Sequence, residues 1–138
     1  MRYAKIAKRM LSIEDDADWL RRIRTLLAPI SLPHLAIEHH PFDFWNPSNF
    51  PDSSYLRVLQ DDSWDVMIID GQDWSFQERI TCFRHAEKFT RSGSIIVLDD
   101  YWRYEAALAG NHRALQVEKF ESVGPCRWGV TSTAFFYY

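Results

Sequence analysis

Short apolar runs that end abruptly in acidic residues recur along the chain. Val66–Ile69 is followed by Asp70, and Ile95–Leu98 is followed by Asp99 and Asp100. A segment of helix length separates the two runs, so the pattern predicts two buried parallel strands joined by a helix. In open α/β sheets the ligand crevice lies beyond the carboxyl ends of such strands. The pattern therefore predicts an acidic functional site at this edge of a sheet.

The first half of the chain also alternates between strand-like and helix-like patterns. Residues 10–14 predict a short strand that ends in Glu14. Apolar residues then recur at helical spacing as far as Pro29, and Asp15 or Asp16 is placed to cap that helix. The other elements predicted for this half are the end of a helix over residues 1–9, a strand over 34–40, a loop over 41–54 and a helical turn over 55–59.

The segment between the two acidic strand ends carries a helix signature. Ser75, followed three residues later by Glu78, is a capping-box pattern and predicts that the helix begins near Ser75. Its predicted buried stripe consists of apolar residues at helical spacing: Phe76, Ile80, Phe83 and Phe89. Ser92 and Gly93 end the helix. The strands on either side span residues 64–70 and 93–99, and the short connection predicts a right-handed crossover.

The carboxyl-terminal part predicts a short helix followed by an antiparallel strand pair. Residues 104–112 have the helix pattern, and residues 115–120 and 129–138 have the strand pattern. Gly124 and Pro125 lie between the two strands and favour a turn. The order of elements therefore predicts a single α/β domain, residues 1–138, with a mostly parallel sheet and an antiparallel end.

Composition and charge narrow the classes of function. A chain of 138 residues with a formal net charge of -3 suits a one-domain globular protein and argues against a general binder of nucleic acids or anionic membranes. No apolar run approaches the length of a membrane-spanning helix, and the amino terminus has no signal-peptide pattern. Cys82 and Cys126 fit no metal or redox spacing, which predicts free thiols and a cytoplasmic location.

The pattern resembles the class I S-adenosylmethionine-dependent methyltransferases, which have a Rossmann-like fold. The segment LSIEDDADWLRRIRTLL looks like the second strand and following helix of that family. WDVMIIDG looks like the fourth strand, GSIIVLDDY like the fifth, and TSTAFFYY like the antiparallel seventh. The resemblance covers nearly the whole chain and implies S-adenosylmethionine as the cofactor.

The DG and DD pairs are closest to the small-molecule O-methyltransferase branch of that family. In its metal-dependent members the fourth strand contributes one Asp and the fifth an Asp-Asn pair. The matching residues here are Asp70, Asp99 and Asp100, the last being Asp where the family has Asn. The resemblance implies that these oxygen ligands hold Mg²⁺, which would orient a substrate hydroxyl for methylation. Without a metal, Asp70 would act as the general base, so Asp70 and Asp99 are the catalytic candidates.

Other residues are implied to contact the cofactor. Glu14 is placed like the family acid that binds the ribose hydroxyls, because a carboxylate accepts two hydrogen bonds from a diol. The cofactor-binding candidates are Glu14, Asp15 and Asp70.

Aromatic residues lie just beyond the acidic strand ends. Trp74, Tyr101 and Trp102 are candidate walls of a pocket for a small aromatic substrate. Packing of these loops onto the sheet is the alternative.

The chain departs from the family pattern at its amino terminus. The family's first strand and glycine-rich turn, which carry most of the cofactor contacts, would precede residues 3–8, yet none of the five glycines lies before Gly71. We therefore expect an amino-terminally truncated sheet without its first strand. Residues 10–14 then pair directly with residues 64–70, another chain supplies the strand, or the chain is a fragment. The alternative function is a non-catalytic methyltransferase-like module that associates through an exposed strand edge, for example as a homodimer.

Overall fold

The computed structural model of the protein describes residues 6–43, 45–59, 64–123 and 129–138. Within these ranges it contains six β-strands and four α-helices. The elements fall into two units, Met1–Val58 and Leu59–Tyr138, and each unit has its own sheet. The single methyltransferase-like domain predicted from the sequence stays a prediction.

The first unit contains a strand, a helix and a second strand that is parallel to the first. β1 (Met10–Glu14) pairs with β2 (Leu35–His39), and α1 (Ala17–Leu27) connects them. All three elements lie where the sequence predicts them. Residues 1–5 of the predicted amino-terminal helix lie outside the described residues, and residues 6–9 form no helix.

Asp16 caps α1. Its Oδ1 accepts the backbone N–H groups of Asp18 at 2.7 Å and of Trp19 at 2.9 Å, so two free amides of the first helical turn are satisfied. These hydrogen bonds lower the pKa of Asp16 below its ordinary value, because they stabilise its charged form. The start of this helix could therefore be predicted, because its capping hydrogen bonds join residues that are close in sequence.

The aromatic segment after β2 packs against itself. It contains a 3₁₀ turn, Pro47–Asp52, followed by α2 (Ser54–Arg57). Phe50 and Leu56 are buried, and the ring of Phe42 meets that of Phe50 edge-on with 4.6 Å between centroids. This segment thus forms a small apolar cluster inside the first unit.

The second unit contains a four-stranded sheet with the order β3-β4-β6-β5. Its strands are β3 (Val66–Ile69), β4 (Ile95–Leu98), β5 (Gln116–Val123) and β6 (Val130–Tyr137). β3 and β4 are parallel, whereas β6 is antiparallel to both β4 and β5. The parallel β-α-β unit and the antiparallel carboxyl-terminal pair are therefore present as predicted. The predicted turn at residues 124–125 lies outside the described residues.

The helix between β3 and β4 begins later than its sequence predicts. α3 spans Glu78–Ala86 and does not start at Ser75. Phe76 has a φ of 63°, in the left-handed region that a bulky residue rarely adopts, so the helix cannot include it. The Phe76 side chain is 51% exposed and does not belong to the buried stripe, whereas Phe83 is fully buried.

The predicted capping box forms only in part. Glu78 Oε2 accepts the Ser75 N–H at 3.1 Å, and Glu78 Oε1 accepts the Ser75 hydroxyl at 2.8 Å. The Glu78 N–H, however, is bonded to Asp73 Oδ1 at 3.3 Å. Asp73, and not Ser75, therefore satisfies the first amide of α3.

Shorter elements complete the second unit. α3 continues into a 3₁₀ turn, Glu87–Phe89, and Gly93, with a φ of 87°, makes the turn that leads into β4. A second 3₁₀ turn, Tyr101–Arg103, follows β4 and leads into α4 (Glu105–Leu108). This helix is shorter than the one predicted for residues 104–112.

One face of the four-stranded sheet forms the core of the second unit. Alternate residues of β3, β4 and β6 pack there with side chains of α3, α4 and the turn after β4. The largest of these core residues are Met67, Ile69, Phe83, Ile96, Leu98, Tyr101, Tyr104, Leu108 and Phe136. Full burial of one such side chain contributes about 1.5–3 kcal/mol, so this cluster is the main source of the unit's stability. On the opposite face Val66 and Ile68 are exposed.

The pairing of the strands is known within each unit of the described chain. β1 pairs with β2, and β3 pairs with β4. Direct pairing of residues 10–14 with residues 64–70, one of three arrangements expected from the sequence, stays a prediction. None of the described helices is long and apolar enough to cross a bilayer.

Candidate active site

Three aspartates lie at the carboxyl ends of β3 and β4. Asp70 follows β3 directly, and Asp99 and Asp100 follow β4. Because the two strands are parallel neighbours, both ends lie at the same edge of the sheet. The side chains of Asp70, Asp99 and Asp100 are 65%, 40% and 8% exposed, respectively. The edge therefore presents two accessible carboxylates and one buried carboxylate.

A buried arginine binds the two strand ends together. Arg79, in the first turn of α3, is only 8% exposed. Its Nε donates to the carbonyl oxygen of Gly71 at 2.6 Å, its Nη1 to that of Asp99 at 3.0 Å, and its Nη2 to that of Asp70 at 3.3 Å. The planar guanidinium is suited to this task because its donors diverge in fixed directions.

The same guanidinium faces all three carboxylates. Its Nη2 is 3.2 Å from Asp70 Oδ1, and its Nη1 is 3.9 Å from Asp99 Oδ2 and 3.8 Å from Asp100 Oδ2. One buried positive charge thus lies among three negative charges, which offsets much of the cost of bringing the carboxylates together.

Hydroxyl groups of β6 hold the carboxylates of the second strand end. Thr133 Oγ1 donates to Asp99 Oδ1 at 2.7 Å, and Thr131 Oγ1 donates to Asp100 Oδ1 at 3.0 Å. The indole N–H of Trp102 also approaches Asp100 Oδ1, at 3.4 Å. Charge-assisted bonds of this kind fix a carboxylate in one orientation.

Asp70 has a perturbed pKa. Partial burial raises the pKa of Asp70 above its ordinary value, and the charge of Arg79 counteracts this. The neighbouring charge of Asp99, a hydrogen bond with Asp99 and the charge of Asp100 raise the pKa of Asp70 further. An accessible carboxylate with a raised pKa accepts a proton more readily than an ordinary aspartate, as a general base must.

The loop between β3 and α3 is fastened from two sides. The buried Tyr104 hydroxyl donates to Asp73 Oδ2, and Arg103 Nη2 donates to the Asp73 carbonyl at 3.2 Å. The Arg103 guanidinium also lies 4.2 Å from the centroid of the Phe76 ring, within cation–π distance. Burial and a hydrogen bond with Glu78 raise the pKa of Asp73. These contacts hold the loop that follows Asp70 in a defined conformation.

Solved structures share this arrangement of elements, although no protein-family model and no curated protein matches the chain. Cofactor-bound Rv0187 from MTB is 18% identical, with a TM-score of 0.64 over 92% of this chain and 60% of that one. An O-methyltransferase from Bacillus cereus in complex with SAH is 14% identical, with a TM-score of 0.67 over 92% and 61%. An rRNA methylase from Streptococcus thermophilus is 7% identical, with a TM-score of 0.66 over 97% and 76%.

The chain has the class I methyltransferase fold. The predicted Rossmann-like architecture, mostly parallel with an antiparallel end, is thereby confirmed. The chain spans about 60% of the length of Rv0187. At these sequence identities the likeness establishes the fold, and the chemistry has to be argued from the side chains at the acidic edge.

The three aspartates that the sequence predicts as Mg²⁺ ligands share their place in this methyltransferase fold with a guanidinium. Asp70, Asp99 and Asp100 are the predicted metal ligands. Among the residues that the structure describes, no group of three or more His, Cys, Asp or Glu side chains is arranged to hold a metal ion. The Arg79 guanidinium supplies a positive charge to these same three carboxylates.

The predicted aromatic wall divides into exposed and buried residues. Trp74 and Trp102 are 63% and 50% exposed, so both present ring surface beside the acidic strand ends. Tyr101 is only 7% exposed, and its ring packs edge-on against Phe136 with 5.7 Å between centroids. Tyr101 therefore belongs to the core of this methyltransferase fold, which corrects its expected place in a substrate pocket.

Glu14 and Asp15, the predicted cofactor contacts of the first unit, make local interactions. Glu14 Oε1 accepts the N–H groups of Asp15 and Asp16, each at 3.1 Å, and so closes a turn after β1. Burial, followed by the charge of Glu14, raises the pKa of Asp15. Their assignment to the cofactor stays a prediction.

Several residues of the acidic edge were not singled out from the sequence: Asp73, Arg79, Tyr104, Thr131 and Thr133. The two threonines carried a usable signal, because residues two apart in the strand predicted over residues 129–138 share a face. Arg79 carried no comparable signal. Nothing in its local sequence distinguishes it from the exposed arginines of other helices.

Proposed function

We propose that the protein is an S-adenosylmethionine-dependent methyltransferase that methylates an oxygen of a small hydroxylated substrate. The observation that carries this proposal is Asp70, an accessible carboxylate with a raised pKa at the carboxyl end of β3. The fold supports it, since the Bacillus cereus O-methyltransferase was solved with SAH and Rv0187 with a cofactor. The ends of parallel strands are also where α/β folds bind their ligands.

The chemistry assigned to the chain is proton transfer and orientation. Bound S-adenosylmethionine supplies an electrophilic methyl group. Asp70 accepts the proton that the substrate hydroxyl loses on methylation. Arg79 holds the Asp70 carboxylate at 3.2 Å and keeps it directed to the edge of the sheet. Asp99, fixed by Thr133, lies beside Asp70 and is proposed to position the same substrate molecule as a further hydrogen-bond acceptor.

Three carboxylates are proposed as cofactor ligands. Glu14 lies at the end of β1, and a carboxylate has about four acceptor positions, of which Oε1 uses two for the turn amides. The remaining acceptor capacity suits the ribose diol. Asp15 and Asp70 are the further candidate contacts, and this assignment rests on the family resemblance and on their strand-end positions.

The proposed substrate is a small aromatic molecule. Trp74 and Trp102 offer exposed ring faces on which an aromatic ring can stack beside the acidic edge. The net charge of -3 and the carboxylates at this edge disfavour a polyanion such as a nucleic acid. A small-molecule substrate and a cytoplasmic location remain our predictions.

The test is transfer of a labelled methyl group from S-adenosylmethionine to a panel of hydroxylated aromatic compounds. Asp70→Asn removes the base, and we expect kcat to fall by about 10²–10⁴-fold. Asp65→Asn is the matched control, because Asp65 precedes the same strand at its opposite end and is paired with Arg91 at the surface. Full activity in Asp70→Asn would contradict the proposal.

A non-catalytic module is the second candidate function. The observation that favours it is the exposure of Val66 and Ile68, 51% and 72%, on β3, which is an edge strand of its sheet. An exposed apolar edge strand favours association, for example with a second copy. A folded chain that binds no S-adenosylhomocysteine, yet sediments as a dimer that Ile68→Lys dissociates, would establish this function instead.

A further inference from the structure

We infer that Arg79 is the resident cation of the acidic edge, so that Asp70, Asp99 and Asp100 are positioned without a divalent metal. Arg79 is then a positioning residue that acts through the carboxylates. The inference rests on the proposed function only for its effect on catalysis, because binding of a metal ion is measured independently of methyl transfer.

The first argument is the location of the positive charge. Arg79 nitrogens lie 3.2–3.9 Å from one oxygen of each of the three carboxylates. A metal ion that bridged these oxygens would lie beside a guanidinium of the same sign, at a distance where repulsion in a partly buried site is strong. The guanidinium and the metal ion are therefore alternatives.

The second argument is that the carboxylate oxygens of β4 already have partners. Asp99 has Oδ1 bonded to Thr133 and Oδ2 facing Arg79. Asp100 has Oδ1 bonded to Thr131 and Oδ2 facing Arg79. Mg²⁺ needs near-octahedral oxygen ligands at about 2.0–2.1 Å, so a metal ion would have to share these oxygens with the threonine hydroxyls and with the guanidinium.

The third argument is that Arg79 cannot easily leave. Its Nε and both Nη atoms donate to main-chain carbonyls of Gly71, Asp70 and Asp99 at 2.6–3.3 Å, and the residue is 8% exposed. Withdrawing the side chain would leave carbonyls at two strand ends without these donors. The guanidinium is thus a fixed part of the fold, in contrast to a surface side chain that a metal ion could displace.

The direct test is a Mn²⁺ titration of the EDTA-treated full chain, followed by electron paramagnetic resonance of free Mn²⁺. Mn²⁺ stands in for Mg²⁺ because both prefer oxygen ligands. We expect identical isotherms for the wild-type chain and for Asp99→Asn. A saturable site in the wild-type chain that Asp99→Asn abolishes would overturn the inference.

Variants of Arg79 test whether the carboxylates bind a metal ion once the guanidinium is removed. Arg79→Gln removes the charge and leaves three carboxylates without their cation, so we expect Mn²⁺ to raise the melting temperature of this variant. Arg79→Lys restores a positive charge and is expected to abolish that response. A rise in the melting temperature of the wild-type chain equal to that of Arg79→Gln would overturn the inference. If Arg79→Gln does not fold, the wild-type titration alone decides.

The catalytic consequence separates this inference from the proposed function. If the chain transfers methyl groups, we expect EDTA to leave kcat unchanged and added Mg²⁺ to leave it unchanged as well. Loss of activity in EDTA that Mg²⁺ restores would overturn the inferred role of Arg79, but it would support the proposed methyltransferase function. A chain with no transferase activity would end the proposed function, and the Mn²⁺ titration would still test the inference.

Discussion

Acidic residues follow three strands, but their partners lie at different distances along the chain. The carboxylate at the end of β1 has near partners, and those at the ends of β3 and β4 have distant ones. Glu14 accepts hydrogen bonds from the amides of the next two residues. Asp70 contacts Arg79, which is nine residues away, and Asp99 contacts Thr133, which is 34 residues away. The first carboxylate closes a local turn, whereas the others belong to a cluster that only the assembled sheet can form.

This difference shows that a strand that ends in acid has two physical explanations. A carboxylate can always bond to nearby amides, and such bonds form in short segments of any fold. A cluster of carboxylates around a buried guanidinium is costly to assemble and persists only where the surrounding fold holds it. The second arrangement is therefore the better indication of a functional site.

The largest expected effect comes from removing the guanidinium of the cluster. Arg79→Met should lower the free energy of unfolding by about 3 kcal/mol, because a buried carboxylate and strand-end carbonyls lose their donor. Arg21→Met is the control, since Arg21 pairs with Asp18 at 2.6 Å with both side chains over 70% exposed. It should change stability by less than about 0.5 kcal/mol. The measurement is urea unfolding. Equal losses of unfolding free energy in Arg79→Met and Arg21→Met would contradict the distinction between the carboxylate cluster and the local surface pair.

The elements whose signals are local were predictable from the sequence. β1 occupies residues 10–14 as predicted, and α1 begins after the capping residue Asp16. β3 and β4 follow from apolar runs that end in acid. These features depend on side-chain period and on bonds within a few residues, which a single sequence contains.

The remainder depended on contacts that are distant in sequence. Phe76 fits a helical stripe, but its positive φ places it in the loop, where Arg103 packs on its ring. Tyr101 looks like a pocket residue and is buried against Phe136. Arg79 reads as an ordinary helical arginine. In each case the position of the side chain depends on its tertiary environment, which a local sequence pattern does not contain.

A smaller effect is expected from the threonine that holds Asp99. Thr133→Val keeps the shape of the side chain and removes the 2.7 Å bond to Asp99, which should cost about 1–2 kcal/mol. Thr25→Val is the control, because the Thr25 hydroxyl bonds to the Arg21 carbonyl one turn away on an exposed helix face. It should be close to neutral. Thermal unfolding of both variants compares the long-range bond with the local one.

The smallest expected effect concerns the pH dependence of stability. The pKa of Asp70 is raised above 3.8 in the folded chain, so its contribution to stability is present below that pH and is lost as pH rises through the folded pKa. The pKa of Asp16 is lowered, so its contribution is present above pH 3.8 and is lost as pH falls. As pH rises from about 3 to about 6, the free energy of unfolding of Asp70→Asn should increase relative to that of the wild-type chain. Over the same range the free energy of unfolding of Asp16→Asn should decrease relative to that of the wild-type chain.

Urea unfolding at a series of pH values measures how the free energy of unfolding of each variant changes with pH. Asn retains a capping oxygen at position 16, so that variant isolates the charge from the hydrogen bond. Slopes of the same sign for the two variants would contradict the assignment of opposite pKa shifts to the local and the long-range carboxylate.

The most direct measurement of the central claim is calorimetric titration of the full chain with S-adenosylhomocysteine. A methyltransferase that works at the acidic edge predicts saturable binding in the micromolar range by a sample that unfolds cooperatively, with weaker binding by Glu14→Ala. Absence of binding by such a sample would contradict the claim that this methyltransferase fold carries an S-adenosylmethionine-dependent enzyme.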